Sequence, residues 1–105
     1  MCHIFAGQNP QNYAFETRSV RLSGHSTSIR LESKFWDVLE QISADQSMPM
    51  PRFLTQLHEE ALNINGEISN FASLLRCCCL NYLDANFDKA QLLEEAKLPA
   101  ARLSA

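Results

Sequence analysis

Several features that mark whole classes of protein are missing from this sequence. No apolar run approaches the roughly 20 residues that a bilayer-spanning helix needs. The opening stretch MCHIFAGQNP lacks the basic and apolar segments of a secretory signal, so a cytoplasmic location with no membrane partner is expected. Cysteines able to staple distant segments are also lacking. Of the four, Cys77, Cys78 and Cys79 are adjacent and only Cys2 stands apart, which excludes a disulfide framework and agrees with a reducing compartment. Among Cys2, His3, His25, His58 and the cysteine triplet, no pair has C-x₂-C or H-x₃-H spacing. Consecutive residues of a helix point about 100° apart, so the triplet cannot hold one ion together, and neither a metal nor a cofactor is expected. Glycine is scarce, at 3 of 105 residues, and no glycine-rich phosphate loop or Ser/His/Asp arrangement is visible, so no enzyme is expected. Excess positive charge is missing too. The net charge of −3 taken alone argues against a nucleic-acid partner.

What is present is unevenly placed. Residues 1–34 carry Arg18, Arg21, Arg30 and Lys34 against Glu16 and Glu32, a balance of +2. The remaining 71 residues carry five basic and ten acidic side chains, a balance of −5. Charge asymmetry of this kind marks an interaction segment. The same positive segment contains a repeat: Ser19-Val20-Arg21-Leu22 returns as Ser28-Ile29-Arg30-Leu31. Both copies alternate polar and apolar, the pattern of half-buried strands, and Ser23-Gly24-His25-Ser26 between them reads as a turn. The period then changes. Phe35, Trp36, Leu39 and Ile42 share one helical face, with Ser33 at the N-cap position and an end near Gln46. Met48-Pro49-Met50-Pro51 breaks that helix and starts a second at about 49–51, since proline is tolerated in a first turn. Phe53, Leu54, Leu57 and Ala61 form its face, and Gly66 is suited to a left-handed cap. Ser69 or Asn70 can cap a third helix over 67–87, with Phe71, Leu74, Leu75, Cys78, Tyr82 and Leu83 on its face. The length predicts one domain: an N-terminal arm over 1–17, strands and two helices over 18–62, the third helix, and a partly mobile tail over 88–105 with a helical stretch from Gln91 to Lys97. A strand and two helices bury little by themselves, so two chains pairing their strands are expected.

The stretch TSIRLESKFWDVLEQISADQSMPMPRFLTQLHEEA resembles the ribbon-helix-helix family of bacterial DNA-binding proteins, the group that includes Arc and MetJ. MCHIF, Tyr13, TRSVRLSGHSTSIRLESKFW and NFASLLRCCCLNYL resemble a subfamily of short bacterial proteins with that domain, so the likeness spans about residues 1–84. It implies a mainly α fold with a short β-ribbon: an intertwined ribbon-helix-helix homodimer with an additional C-terminal helix. It also implies a transcriptional regulator whose ribbon enters the major groove of double-stranded DNA. Ile29 and Leu31 then face the core, and Ser26, Ser28 and Arg30 face the bases. Arg30 is the strongest reader, because a guanidinium donates two hydrogen bonds to guanine. Arg52 at the start of the second helix, with Lys34, Arg18 and Arg21, would contact the DNA backbone. The sequence departs from the family at that helix start, where Pro49 and Pro51 replace the usual polar cap and remove two N–H donors.

MCHIF and Asn65-Gly66-Glu67-Ile68 also resemble the glutamine amidotransferases with an N-terminal cysteine nucleophile, which would make Cys2 catalytic with its α-amine as base. Against that reading, His3 stands where those enzymes have glycine, their arginine-glycine-proline segment is missing, and 105 residues are too few for their layered fold. Trp36 is expected as a core or interface anchor, and Cys78 and Cys79 as small buried hydrophobes beside a more exposed Cys77. His25 is expected in the turn and His58 at the surface or a dimer interface. The alternative to DNA binding is a protein–protein interaction module of the same fold, whose acidic body takes a partner.

Overall fold

The period-two alternation becomes a β-hairpin. In a computed structural model that describes residues 2–87, β1 (Phe15–Leu22) pairs antiparallel with β2 (His25–Glu32), with Ser19 opposite Ser28 and Arg21 opposite Ser26. Ser23 and Gly24 form the turn, with φ of 52° and 84°. Positive φ at both central residues matches the right-handed twist of the flanking strands. His25 is therefore the first residue of β2, opposite Leu22, and not part of the turn. β1 also begins earlier than the repeat, at Phe15. The two copies are thus two strands of one chain, and the described sheet is this two-stranded ribbon. The arm ahead of it is not irregular throughout. It contains α1 (Cys2–Ala6) and a 3₁₀ turn at Pro10–Tyr13, the latter capped by the Asn9 carboxamide, which accepts from the Gln11 N–H.

Three helices follow: α2 (Ser33–Asp45), α3 (Met50–Asn65) and α4 (Phe71–Phe87). Glu32, not Ser33, occupies the N-cap of α2 and makes no side-chain cap. Ser33 turns its backbone N–H and its hydroxyl onto the Ala14 carbonyl, at 2.8 and 3.0 Å, tying the helix start to the residue before β1. The end of α2 is closed by Ser47 in the left-handed region (φ 55°). Met48 N–H donates to Ser43 O and Ser47 N–H to Ala44 O. This is the hydrogen-bond pair that usually employs glycine. Pro49 caps α3, with Pro51 in its first turn, and Gly66 (φ 82°) ends it as expected. The Asn70 carboxamide caps α4 by accepting from Ser73 N–H at 3.1 Å. The Gln91–Lys97 stretch and the rest of the tail lie outside the described residues.

The chain builds a buried core. Leu31, Trp36, Leu39, Leu54, Leu75 and Cys79 are fully buried, drawn from the hairpin and all three long helices. α4 contributes Leu75 and Cys79 to this core, cover that a strand and two helices lack. The inward face of α4 is rotated from the expected one. Leu75 and Cys79 lie at its centre, Cys78 is half-buried and Leu83 is exposed. The Cys79 thiol donates to Phe35 O, and the Tyr82 hydroxyl donates to the Asp45 carboxylate, fastening α4 to both ends of α2.

Candidate nucleic-acid interface

Side chains alternate across a strand, so the register assigns each one to a face. Val20, Leu22, Ile29 and Leu31 turn inward and are buried. Phe15, Thr17, Ser19 and Arg21 of β1 turn outward beside Ser26, Ser28 and Arg30 of β2, and all seven are exposed. The three residues expected to read bases therefore share one face, and Arg21 joins them. Thr17 and Ser19 lie in the same row and were not anticipated. Their signal was present in the period-two pattern, but it becomes readable only once β1 is known to pair with β2.

Arg30 lies with its guanidinium carbon 4.0 Å from the centroid of the Phe15 ring. A guanidinium held over a ring face does not use its in-plane N–H fork in that contact. Glu32 is the one carboxylate in the outward rows of the described hairpin, and it is engaged elsewhere: Arg76 of α4 donates to its Oε1 at 3.0 Å. The Glu32 carboxyl is held below its ordinary range, first by its own backbone N–H and then by Arg76 and the nearby charge of Arg30, against the opposing effect of burial.

Arg18 is placed on the opposite face from Arg21. Its Nε donates to Glu16 at 2.6 Å and its Nη1 to Glu40 of α2 at 2.8 Å, and its guanidinium carbon sits 4.7 Å from the Trp36 ring centroid. Burial disfavours its charge, but these two carboxylates outweigh burial and raise its pKa. Trp36 is the anchor it covers: fully buried, with Nε1 donating to Glu16 O at 2.8 Å. Lys34 in the first turn of α2 and Arg52 in the first turn of α3 are both exposed. With Pro51 lacking an N–H, Met50 and Arg52 keep the first-turn N–H groups that have no acceptor within the helix.

The two edges of the hairpin differ. In an antiparallel pair, every second residue directs its backbone groups away from the partner strand. On β1 one such group, the Arg21 carbonyl, accepts from the Thr55 hydroxyl of α3 at 2.8 Å. Among the described residues no strand pairs with the outer edge of β2. Among the described residues there is also no cluster of three or more His, Cys, Asp or Glu able to hold a metal ion, and no helix long and apolar enough to cross a membrane.

A family model described as a ribbon-helix-helix domain matches residues 15–83. A solved structure, an uncharacterized protein from Bordetella pertussis Tohama I, is 41% identical to this chain. The match covers 97% of this chain and 76% of that one, with a TM-score of 0.76. No curated protein matches.

Proposed function

Since the chain belongs to the ribbon-helix-helix domain family, we propose that it is a transcriptional regulator that reads duplex DNA with the outward face of its hairpin. The family points in general to DNA binding and transcription regulation. The observation that carries the finer reading is the outward row Ser26, Ser28 and Arg30, with the Arg30 guanidinium over the Phe15 ring and, among the described residues, hydrogen-bonded to no carboxylate. Arg30 of each chain would bond guanine O6 and N7, worth about 1–3 kcal/mol of discrimination, and the serines would read more loosely.

Two copies would pair their β2 edges around a two-fold axis. The resulting four strands span about 14 Å at 4.8 Å per strand. The major groove is about 12 Å wide, so only the central β2 pair enters deeply and each β1 abuts a phosphate backbone. Arg21 then contacts phosphate, with Lys34 and Arg52 as further backbone contacts. Arg18 is left out because its guanidinium is committed to Glu16 and Glu40.

Selection from random duplexes with wild type and Arg30→Ala in parallel tests this reading. The wild type should yield a motif whose affinity falls steeply with salt, and the variant should lose preference at one base pair per half-site. Absence of duplex binding at about 50 mM salt would refute it. The second reading, a protein–protein interaction module, is favoured by Ile4 and Phe5, apolar side chains 74% and 67% exposed on α1. It expects a partner bound without steep salt dependence.

A further inference from the structure

The ion pair between Arg76 and Glu32 joins α4, the helix outside the strand-and-two-helix unit, to the end of the reading strand. Glu32 follows Arg30 by two positions on β2 and stands opposite Phe15, the residue on which Arg30 is stacked. A carboxylate so placed is a competitor for the Arg30 fork, because carboxylate and guanine both take two parallel N–H donors of a guanidinium. In the structure the competition does not arise: Glu32 Oε1 accepts from Arg76 Nε at 3.0 Å, while Arg30 rests 4.0 Å from the Phe15 ring centroid. Arg76 is itself held in place, its guanidinium carbon 5.9 Å from the Phe35 ring centroid and its side chain about one-third exposed.

We propose that Arg76 is a positioning residue for DNA recognition, which acts by holding Glu32 away from Arg30 and so keeps the Arg30 fork available to bases. Without Arg76, the closest strand cation left to Glu32 on its own face is Arg30, and an Arg30–Glu32 pair would fill the fork and cancel its charge. The inference rests on Arg30 reading bases. It gives α4 a role in recognition beyond covering the core.

The test uses the full chain and the duplex selected by the wild type. Arg76→Gln keeps much of the side-chain stem over Phe35 but removes the charge. It should bind that duplex about tenfold more weakly, equivalent to 1.4 kcal/mol, and lose preference at the base pair where Arg30→Ala loses it. Glu32→Gln added to Arg76→Gln should restore both affinity and preference, and Arg76→Lys should stay within about twofold of wild type. A merely structural role for Arg76, or a direct phosphate contact, predicts a loss that Glu32→Gln does not restore. Either that result or no loss in Arg76→Gln overturns the proposal. If Arg76→Gln fails to fold by circular dichroism, Glu32→Gln alone decides: affinity equal to or above wild type supports the proposal, and weaker binding overturns it. An Arg30→Ala variant with unchanged affinity and preference would instead refute the reading beneath it.

Discussion

Arg18 and Arg21 are three residues apart on one strand, and replacing each by alanine should give opposite phenotypes. Arg18 bridges Glu16 and Glu40 and covers Trp36, with the three polar side chains about one-third to one-half exposed. Ion pairs at that exposure are worth roughly 0.2–1 kcal/mol each. The contact with the indole adds roughly 0.5–1 kcal/mol. The terms share one side chain and do not add fully, so Arg18→Ala should cost about 1–2 kcal/mol. In a domain of this size that lowers Tm by roughly 5–15 °C. Arg21 faces outward, and its guanidinium donates to Gly24 O at 3.2 Å. Its replacement should change stability by less than about 0.5 kcal/mol. Thermal melts followed by circular dichroism measure the first effect. Fluorescence anisotropy with a labelled duplex over a salt series measures the second: Arg21→Ala should reduce the slope of log K against log salt by about 1 per chain, and Arg18→Ala should leave it unchanged. An Arg18→Ala protein with wild-type Tm and a reduced salt slope would refute the assignment of faces.

Ser47→Gly should raise stability by about 0.5–1 kcal/mol in urea unfolding, because relief of the left-handed backbone outweighs the entropy of glycine in the unfolded chain. An unchanged midpoint would mean that the serine is unstrained. Trp36→Phe removes the Nε1 bond to Glu16 O and leaves a void at a fully buried site, so it should cost about 1–3 kcal/mol. The Cys79 thiol is pushed up from 9.0 to about 11, by burial and then by Cys78. The unfolded chain therefore ionises first: the contribution of this thiol to stability is intact below pH 9 and lost as pH rises towards 11. Urea titrations at pH 8 and 10.5 should show a steeper decline for wild type than for Cys79→Ala, and equal declines would contradict the placement. In native protein, a maleimide should modify exposed Cys77 well before buried Cys79, as read by mass spectrometry of peptides.

The elements that could be read directly were those whose pattern is local. Period-two alternation located both strands, Pro49 and Pro51 located the start of α3, and Gly66 its end, because each reports on a few neighbouring residues. Ser33 misled because serine is the commonest type of N-cap, whereas here its hydroxyl serves a tertiary contact with Ala14. The face of α4 was drawn off its true centre because apolar residues surround that helix: Leu75 and the burial of Cys79 were read from the sequence, but only packing shows that Leu83 stays exposed. On the outward face of the hairpin, the placement of Ser26, Ser28 and Arg30 followed from alternation alone. Arg18 did not, because its neighbours suggested a positive arm, while the structure turns it towards Glu40, 22 residues away. Arg76 could not be foreseen, since it lies 44 positions from Glu32 and the sequence between them carries no trace of their contact.

A core drawn from the hairpin and three helices of one polypeptide bears on two equilibria, folding and dimerisation, that intertwined dimers fuse. When a fold needs its partner, the folding midpoint rises with protein concentration, and dissociation is unfolding. If the core of one chain suffices for folding, the folded protomer would persist at dilution and its melting temperature would not depend on concentration. On the proposed function, such a protein would meet DNA as single folded chains and dimerise there. The bound fraction would then rise as the square of the amount of free chain, so a modest change in expression becomes a sharper change in occupancy.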